Sequence, residues 1–183
     1  MLMTNFLQKR KSVRNFKKDT VPRDSLENIK LLMDELDQEE GEINFSLYEN
    51  GKIVAEGLRG KAGYSGVMIE APHYIALDIT NDKPLNILKG GYCLEKLNTK
   101  IVDLDLDTCW ITVDDVDAET KKAIFGENGI GIDYLIAIGY GQKKKLFDPE
   151  VTSSRLNVDE IVFADTLGNP ISIETLENYG VFD

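Results

Sequence analysis

Three cations and a hydroxyl group lie close together near the start of the chain, in Arg10-Lys11-Ser12-Val13-Arg14-Asn15-Phe16, here called the basic segment. If this segment is extended, Arg10, Ser12 and Arg14 point to one side at intervals of about 6.6 to 7 Å, whereas a helix would send Ser12 away from the two arginines. Two guanidinium groups and a hydroxyl then offer charge-assisted hydrogen bonds to one phosphate group. The alternative is a solvated, charged N-terminal arm or helix with no ligand.

The basic segment stands out because the chain as a whole is acidic, with a formal net charge of −11. Residues 1–23 carry seven cations and one acid, so the start of the chain is +6 and the remainder is −17. Nucleic-acid binding draws most of its affinity from an extended cationic surface, and a pI near 4.6 argues against it. The basic segment is small enough to match one phosphate group.

Size and composition indicate one soluble domain spanning residues 1–183. The chain is 42% apolar and 29% charged, and 183 residues suffice to bury a core without disulfides or metals. No apolar run approaches the roughly 18 residues of a membrane span, and there is no secretory leader, so we expect a cytoplasmic protein with no membrane partner. Cys93 and Cys109 lack metal-ligand spacing and are predicted to be reduced structural thiols.

Apolar periodicity predicts the elements that position the basic segment. A helix is expected directly after it, with Asp24 as its N-cap, Glu27 as a capping-box partner, and one apolar face. That face would comprise Leu26, Ile29, Leu32, Met33 and Leu36.

The middle of the chain predicts a hairpin, a strand and a long helix. Residues 43–56 are interpreted as two short strands around Asn50-Gly51, and residues 74–79 as a further strand. Pro84 is expected to open a long helix in which Gly90-Gly91 indicates close packing. Its apolar face is predicted to hold Leu85, Leu88, Tyr92 and Leu97.

The last third of the chain predicts two further strands and two capped helices. Residues 108–112 and 135–140 are expected to be strands, and Asp117 to cap a short helix that ends at Gly126. Residues 143–149 are predicted to form a loop, residues 158–163 a short apolar segment, and Ser172 to cap a final helix that runs to Asn178. The pattern as a whole predicts an α+β fold with helices flanking a central mixed or antiparallel sheet.

The basic segment resembles the Arg-Arg/Lys-Ser-Val-Arg-x-Phe/Tyr motif of the FMN-dependent nitroreductase family. Four further features follow in that family's order, and together they cover about residues 5–163. They are a Pro and a helix directly after the motif; Ala71-Pro72 before a strand; residues 91–97 running to Asp107-Thr108-Cys109-Trp110-Ile111; and residues 136–140 with the later residues 155–162. The chain is most similar to the divergent branch of that family, in which Thr-Cys-Trp also ends the strand after the long helix.

The resemblance implies an FMN site, a homodimer and specific residue roles. It assigns Arg10 and Ser12, flanked by Lys11, to the FMN phosphate, and Arg155 to the same phosphate from later in the chain. It places Arg14 at the pyrimidine end of the isoalloxazine, where a cation stabilises the anionic reduced flavin. It places a backbone N–H near Thr112 or Val113 beside flavin N5. No protein acid or base is implied, in keeping with a chain that has a single histidine.

One family feature is missing. Most members carry Pro-Ser-Ser-x-Asn-x-Gln-Pro-Trp after the first helix, which reaches the flavin of the other subunit, whereas this chain has Gln38-Glu39-Glu40-Gly41-Glu42-Ile43-Asn44-Phe45. Only Phe45 matches. In two-half members of the branch the missing segment lies in a second half, so the chain is expected to be a shortened member with a remodelled site. Residues 164–183 are expected to form a tail that wraps the partner subunit.

The other motifs in the sequence are typical of structural roles. The series Asp103-x-Asp105-x-Asp107 lacks the Gly and Glu of a calcium loop and is interpreted as a solvated turn. Residues 139–141 lack the rest of a dinucleotide fingerprint and are interpreted as a strand exit. His73 is expected to be a hydrogen-bonded structural residue, and Trp110 and Phe45 to fill the core rather than a flavin pocket.

The resemblance therefore predicts an FMN-dependent oxidoreductase that passes electrons from NAD(P)H to nitroaromatic, quinone or similar acceptors by a ping-pong mechanism. Two alternatives remain open on the sequence. One is a flavin-binding protein with little turnover, such as a sensor or a remodelled relic, and the other is a domain with no ligand.

Overall fold

A computed structural model of the chain describes residues 9–63, 66–81, 83–142, 156 and 158–178. The chain divides into two compact units. Unit 2 comprises Arg10–Gln142 and contains the sheet and the long helices, and unit 1 comprises Met1–Lys9 with Lys143–Asp183. Within the described residues, no helix has both the length and the apolar character needed to cross a membrane.

Unit 2 is built on a four-stranded antiparallel sheet. Its strands are β1 Ile43–Tyr48, β2 His73–Ile79, β3 Asp107–Thr112 and β4 Ile132–Gly139, in the spatial order β1-β2-β4-β3. The α+β fold class is confirmed, the sheet is antiparallel and not mixed, and the strands expected at residues 74–79, 108–112 and 135–140 are present. Ile136 on the inner strand β4 pairs with Ile75 on one side and with Trp110 on the other.

Helices cover both faces of the sheet and create two apolar layers. The helices of unit 2 are α1 Arg23–Glu40, α2 Gly51–Leu58, α3 Pro84–Asp103 and α4 Ala118–Phe125, followed by a 3₁₀ turn at Glu127–Gly131. The first face of the sheet packs against α1 and α3 through a cluster that includes Ile29, Leu97 and Ile136. The second face packs against α2 through a cluster that includes Leu58 and Leu135.

Helix α1 confirms the predicted apolar face but not the predicted cap. Four of its five predicted positions are buried, and Leu32 is partly buried against the same cluster. The N-cap position is held by Pro22, which makes no side-chain cap bond. The prediction that Asp24 and Glu27 form a capping box is wrong, because Glu27 instead accepts a hydrogen bond from Arg23 Nε at 2.9 Å. An i,i+4 ion pair on the surface replaces the cap.

The predicted hairpin around Asn50-Gly51 is wrong, because only β1 is a strand and Gly51 begins helix α2. Gly51 donates its N–H to the Pro72 carbonyl at 2.8 Å. A Cβ at this position would lie 2.2 Å from the Ala71 carbonyl oxygen. Glycine is therefore required here by the close approach of two backbone segments and not by a turn between two strands.

Helix α3 begins at Pro84 as predicted, but its buried face differs from the prediction. Leu85, Leu88 and Tyr92 are 61%, 72% and 64% exposed, whereas Leu97 is buried. The side toward the sheet instead holds Asn86, Gly90, Cys93, Leu94, Asn98, Ile101 and Val102 in addition to Leu97. Gly90 lies on that side, where a Cβ would stand 2.8 Å from Ile79 Cδ1, but no atom lies within 4 Å of the corresponding point at Gly91.

The predicted caps near the C-terminal end of the chain are confirmed. Asp117 Oδ1 accepts a hydrogen bond from Thr120 N–H at 2.8 Å at the start of α4, which ends before Gly126. In unit 1 the helices are α5 Val158–Ile161 and α6 Ile173–Asn178. Ser172 Oγ accepts from Thr175 N–H at 3.1 Å, as expected of an N-cap. The loop predicted at residues 143–149 lies outside the described residues.

Candidate functional site

The basic segment is not helical and runs beside the edge strand β3. Ser12 forms a parallel bridge with Thr108, and Val13 N–H donates to the Thr108 carbonyl at 2.9 Å. Phe16 then bridges Gly141 in antiparallel fashion. The extended form, which is required for a joint anion site, is therefore the one adopted.

Hydrogen bonds to the residues after β4 hold the segment that follows. Lys17 N–H donates to the Tyr140 carbonyl at 2.7 Å, and Gln142 N–H donates to the Asn15 carbonyl at 2.8 Å. Gln142 Nε2 also donates to the Phe16 carbonyl at 3.1 Å. Residues 12–17 are thus fixed along the sheet margin, although nothing in their own periodicity predicts a strand.

A large open cavity of about 1610 Å³ lies alongside this segment, entirely within unit 2. Its walls come from the basic segment, the start of α2, residues 67–72 before β2, and strand β3. Typical small-molecule sites occupy about 300–1,000 Å³, so there is room for a cofactor and a second molecule.

The structure brings three of the seven predicted site residues onto this cavity, namely Ser12, Arg14 and Thr112. Lys11 is exposed, and Val113 is 1% exposed within the core. Neither of these two residues lines the cavity, and Arg10, which is half-buried, does not line it either.

The two arginines of the basic segment lie near the same buried thiol. Cys109 lies on the cavity wall, and burial raises the pKa of its thiol. Arg14 and Arg10 are close enough to oppose this effect, since their positive charges act to lower the same pKa. Arg155, the proposed partner from later in the chain, lies outside the described residues.

The edge strand β3 turns the backbone N–H of Thr112, a residue of the cavity wall, away from β4. Val113 N–H donates to the Asp133 carbonyl at 2.8 Å, so by the alternation of an antiparallel ladder Thr112 turns its backbone groups away from β4. On that outer side the Thr112 carbonyl accepts from Gly63 N–H at 3.0 Å. The Thr112 N–H points the same way and meets no acceptor among the described residues.

The Thr112 side chain is also held. Its Oγ1 donates to Asp114 Oδ1, and this hydrogen bond is the main reason why the pKa of Asp114 lies below its usual value. Thr112 is therefore fixed at its hydroxyl and at its carbonyl, while its N–H has no acceptor among the residues that the structure describes.

Sequence reasoning missed three glycines, here called the glycine-rich loop, of which Gly63 lines the cavity. Gly60, Gly63 and Gly66 have φ of +75°, +79° and +75°, which are values that residues with a Cβ rarely adopt. The spacing of three residues was a readable signal for such a loop. Directly afterwards, residues 67–69 line the cavity with apolar side chains, and Val67 is 67% exposed.

His73 has a structural role, as predicted. Its Nε2 accepts the Val21 N–H at 3.2 Å, so its Nδ1 carries the proton and donates to the Glu49 carbonyl at 2.8 Å. Burial lowers the pKa of His73, which favours this neutral form.

The aromatic residues also behave largely as predicted. Phe45 is buried in the first apolar layer, and Trp110 is partly buried against it. Trp110 stands edge to face with Tyr134 at 6.1 Å, and both residues line the cavity. The Trp110 Nε1 atom is buried and has no hydrogen-bond partner among the described residues. Trp110 thus belongs to both the core and the cavity wall.

Asp105, Asp107 and the two cysteines have structural surroundings in the part of the chain that the structure describes. Asp105 lies in a turn with φ of +56°, and Asp107 Oδ2 accepts the Gly141 N–H at 2.8 Å. No group of three metal-ligating side chains occurs among the described residues. Cys93 and Cys109 are free and buried, and burial raises the pKa of both thiols.

Solved structures share this fold. An FMN-dependent nitroreductase from Clostridium difficile R20291 has a TM-score of 0.64 and 21% identity, and the match covers 78% of this chain and 90% of that one. A nitroreductase family protein from Clostridium difficile 630 has a TM-score of 0.66 and 19% identity, with 91% of this chain and 100% of that one covered. The FMN-dependent nitroreductase NfnB from Mycobacterium smegmatis, in complex with NADPH, has a TM-score of 0.62 and 16% identity, with 75% and 87% covered.

At these identities the structural matches establish the fold alone. A search of curated proteins found no match to the chain. The family model described as "Putative TM nitroreductase" matches residues 3–171. The chain therefore belongs to this family of nitroreductase-like oxidoreductases.

Proposed function

We propose that the chain is an FMN-dependent oxidoreductase that transfers electrons from NAD(P)H to nitroaromatic, quinone or similar acceptors by a ping-pong mechanism. One observation carries the proposal. Ser12 and Arg14 of the basic segment line the same cavity as Thr112, which is the last residue of the distant strand β3. The residues present fit FMN, because the cavity supplies a hydroxyl, a guanidinium and an outward backbone N–H in an otherwise partly apolar site.

In this proposal the basic segment binds the phosphate. Arg10 and Ser12 would donate charge-assisted hydrogen bonds to the phosphate oxygens, with Lys11 adding positive charge at the surface and Arg155 joining them from later in the chain. Each such bond contributes about 1.5–3 kcal/mol. The bridge between Ser12 and Thr108 and the place of Ser12 on the cavity wall support this role for Ser12, whereas the roles of Arg10 and Lys11, which do not line the cavity, rest on the family resemblance.

Arg14 and Thr112 would orient the ring system. Arg14 would lie at the pyrimidine end, where its charge favours the anionic reduced state, and a backbone N–H would face N5. Of the two donors expected from the sequence, Val113 gives its N–H to Asp133, so we assign this role to Thr112. FMN, when bound, would supply hydride exchange at N5, which requires no protein acid or base.

We further propose a homodimer. Helix α3 presents Leu85, Leu88 and Tyr92 to the outside, an apolar stripe typical of a surface covered by another subunit. Phe45 does not take the place of the missing inter-subunit segment, because it is 7% exposed in the core and its N–H donates to Asp37 Oδ1 at 3.0 Å. Residues 164–183 remain a candidate for a tail that wraps the partner.

The remaining parts of the proposal concern partners and location. The cavity walls favour a small-molecule acceptor, and an acidic chain disfavours nucleic acid. Two free buried thiols agree with a reducing compartment, so we propose the cytoplasm.

The test is retention of flavin by the full chain. Purified protein should stay yellow after incubation with FMN and desalting, and Arg10→Ala with Arg155→Ala should lose most of the bound FMN. Lys122→Ala, a surface cation paired with Glu127 and not part of the cavity wall, is the control and should retain it. A wild-type protein that remains colourless would refute the proposed function, and unchanged retention in the double variant would refute the phosphate assignment.

A second candidate is a flavin-binding protein with little turnover, favoured by the absence of the inter-subunit segment. Both candidates predict a yellow protein, so the oxidation of NAD(P)H distinguishes them. Rapid bleaching by NAD(P)H and recovery of colour with a quinone support the enzyme. A yellow protein that NAD(P)H does not bleach supports the binding protein.

A further inference from the structure

The cavity carries more positive charge than the proposed cofactor site requires. Five cations line it against three acids, on a chain whose net charge is −11. The cations are Arg14, Lys17, Lys18, Lys52 and Arg59, and the acids are Glu49, Glu56 and Glu70.

Ion pairs account for all three acids and for two of the cations. Arg59 pairs with Glu70 at 2.7 Å and Lys52 with Glu56 at 3.8 Å. The third acid, Glu49, pairs with Lys30, which is not part of the cavity wall. Three cations remain that form no ion pair with a described residue, namely Arg14, Lys17 and Lys18.

Arg14 has a role in the proposed flavin site, so Lys17 and Lys18 are the unassigned positive charges. They follow Phe16, which bridges Gly141, whereas Ser12 bridges Thr108. The two lysines therefore lie at a different point of the sheet margin from Ser12. Lys17 N–H donates to the Tyr140 carbonyl at 2.7 Å, which holds the Lys17 backbone beside the cavity.

We infer that Lys17 and Lys18 form a second anion-binding position in the cavity and select co-substrates that carry a negative group away from the reacting ring. This inference rests on the proposed function and adds a substrate class to it. A negative group near these lysines escapes the repulsion of the acidic remainder of the chain, and the two charges also attract such molecules from solution. The shared chemistry is that of a carboxylate or a phosphate.

The effect is expected to be moderate and dependent on salt. Both lysines reach solvent, where individual charge pairs are weak and screened, so the preference for an anionic over a neutral analogue should be about threefold to tenfold at low salt. It should shrink as the ionic strength rises, since the screening length falls to about 3 Å at 1 M salt.

Trp110 gives a direct binding assay that does not require turnover. It is the single tryptophan of the chain and lines the cavity, so a bound nitroaromatic should quench its fluorescence. The full-length protein, with and without FMN, is titrated with 4-nitrobenzoate and with the neutral 4-nitrobenzyl alcohol. The wild-type protein should bind the benzoate more tightly, and the Lys17→Gln/Lys18→Gln variant should bind both ligands alike.

The matched control is Lys96→Gln/Lys122→Gln, which changes the net charge equally at two surface lysines that do not line the cavity. It should keep the wild-type preference. The inference is overturned if the wild-type protein shows no preference, or if the Lys17/Lys18 variant and the control behave alike.

Steady-state kinetics then identify which co-substrate carries the negative group. If the group belongs to the electron donor, the Lys17/Lys18 variant should lower kcat/KM for NADH but not for neutral reduced 1-benzylnicotinamide. If it belongs to the acceptor, kcat/KM should fall for 4-nitrobenzoate but not for the alcohol. A yellow, active protein without any preference contradicts this inference alone, whereas a chain that retains no FMN but still prefers the carboxylate contradicts the proposed function alone.

Discussion

Gly63 links the glycine-rich loop to the backbone donor proposed to face the flavin, and its replacement by alanine tests that link. Gly63 has φ of +79°, and its N–H donates to the Thr112 carbonyl at 3.0 Å. A Cβ at this position would lie 2.3 Å from the Val67 carbonyl oxygen. Gly60 provides a matched control, because its φ of +75° is nearly the same but a Cβ there would have no atom within 4 Å.

Both substitutions introduce backbone strain at a positive φ, and only Gly63→Ala also introduces a steric clash. A residue with a Cβ in the left-handed region costs about 1–2 kcal/mol, so Gly60→Ala should lower the free energy of unfolding by about that amount. Gly63→Ala pays the same cost and must also move the loop by about 1 Å to relieve the contact with Val67, which breaks the hydrogen bond to Thr112. Loss of that bond adds about 0.5–1.5 kcal/mol, so Gly63→Ala should cost about 1.5–3.5 kcal/mol.

Urea unfolding followed by Trp110 fluorescence measures both differences, and hydrogen exchange at the Thr112 amide reports the local change. Gly63→Ala should also retain less FMN than Gly60→Ala, because a displaced Thr112 no longer presents its N–H in the same place. If the two variants differ by less than about 0.5 kcal/mol and bind FMN alike, the loop does not position Thr112 and the reasoning fails.

Two further predictions concern the pH dependence of stability and the oligomeric state. The pKa of His73 is lowered by burial from the usual 6.5, so the unfolded chain takes up a proton first as the pH falls. The free energy of unfolding should therefore decrease from pH 6.5 down to the lowered pKa, and His73→Gln should remove this slope in an untagged chain, which has no other histidine. Leu88→Glu, which places a charge on the exposed stripe of α3, should convert a dimer to monomers in sedimentation equilibrium, and an unchanged mass would contradict the proposed interface.

The sequence predicted those elements whose signals are local. Strand β2 follows from a short apolar run, the Asp117 cap from a side chain that accepts a nearby backbone N–H, and the start of α3 from a proline whose fixed φ suits the first helical turn. All three are present. Predictions failed where distant backbone decided the outcome. Asn50-Gly51 has the composition of a hairpin, but Gly51 is required because residues 71 and 72 approach it closely.

Helix α3 shows the same distinction between periodicity and packing. Its sequence contains apolar residues on two sides, and the periodicity of Leu85, Leu88 and Tyr92 favoured the side that proves exposed. Gly90 marks the buried side, because it allows the helix to approach Ile79 on the sheet. The position of the sheet decides which apolar stripe of α3 is buried, and the sequence of the helix alone does not specify where the sheet lies.

The basic segment is the part of the candidate site that the sequence by itself determined. Its residue types fix its chemistry, because two guanidinium groups and a hydroxyl in an extended chain favour an anion whatever surrounds them. Only the tertiary structure placed Ser12 and Arg14 on the same cavity as Thr112, gave Val113 N–H to Asp133, and left Lys17 and Lys18 without an ion pair to any described residue. These outcomes depend on which distant groups come within hydrogen-bonding or ion-pairing distance, and that is decided by the register of β3 on β4 and by the path of the chain beside the sheet.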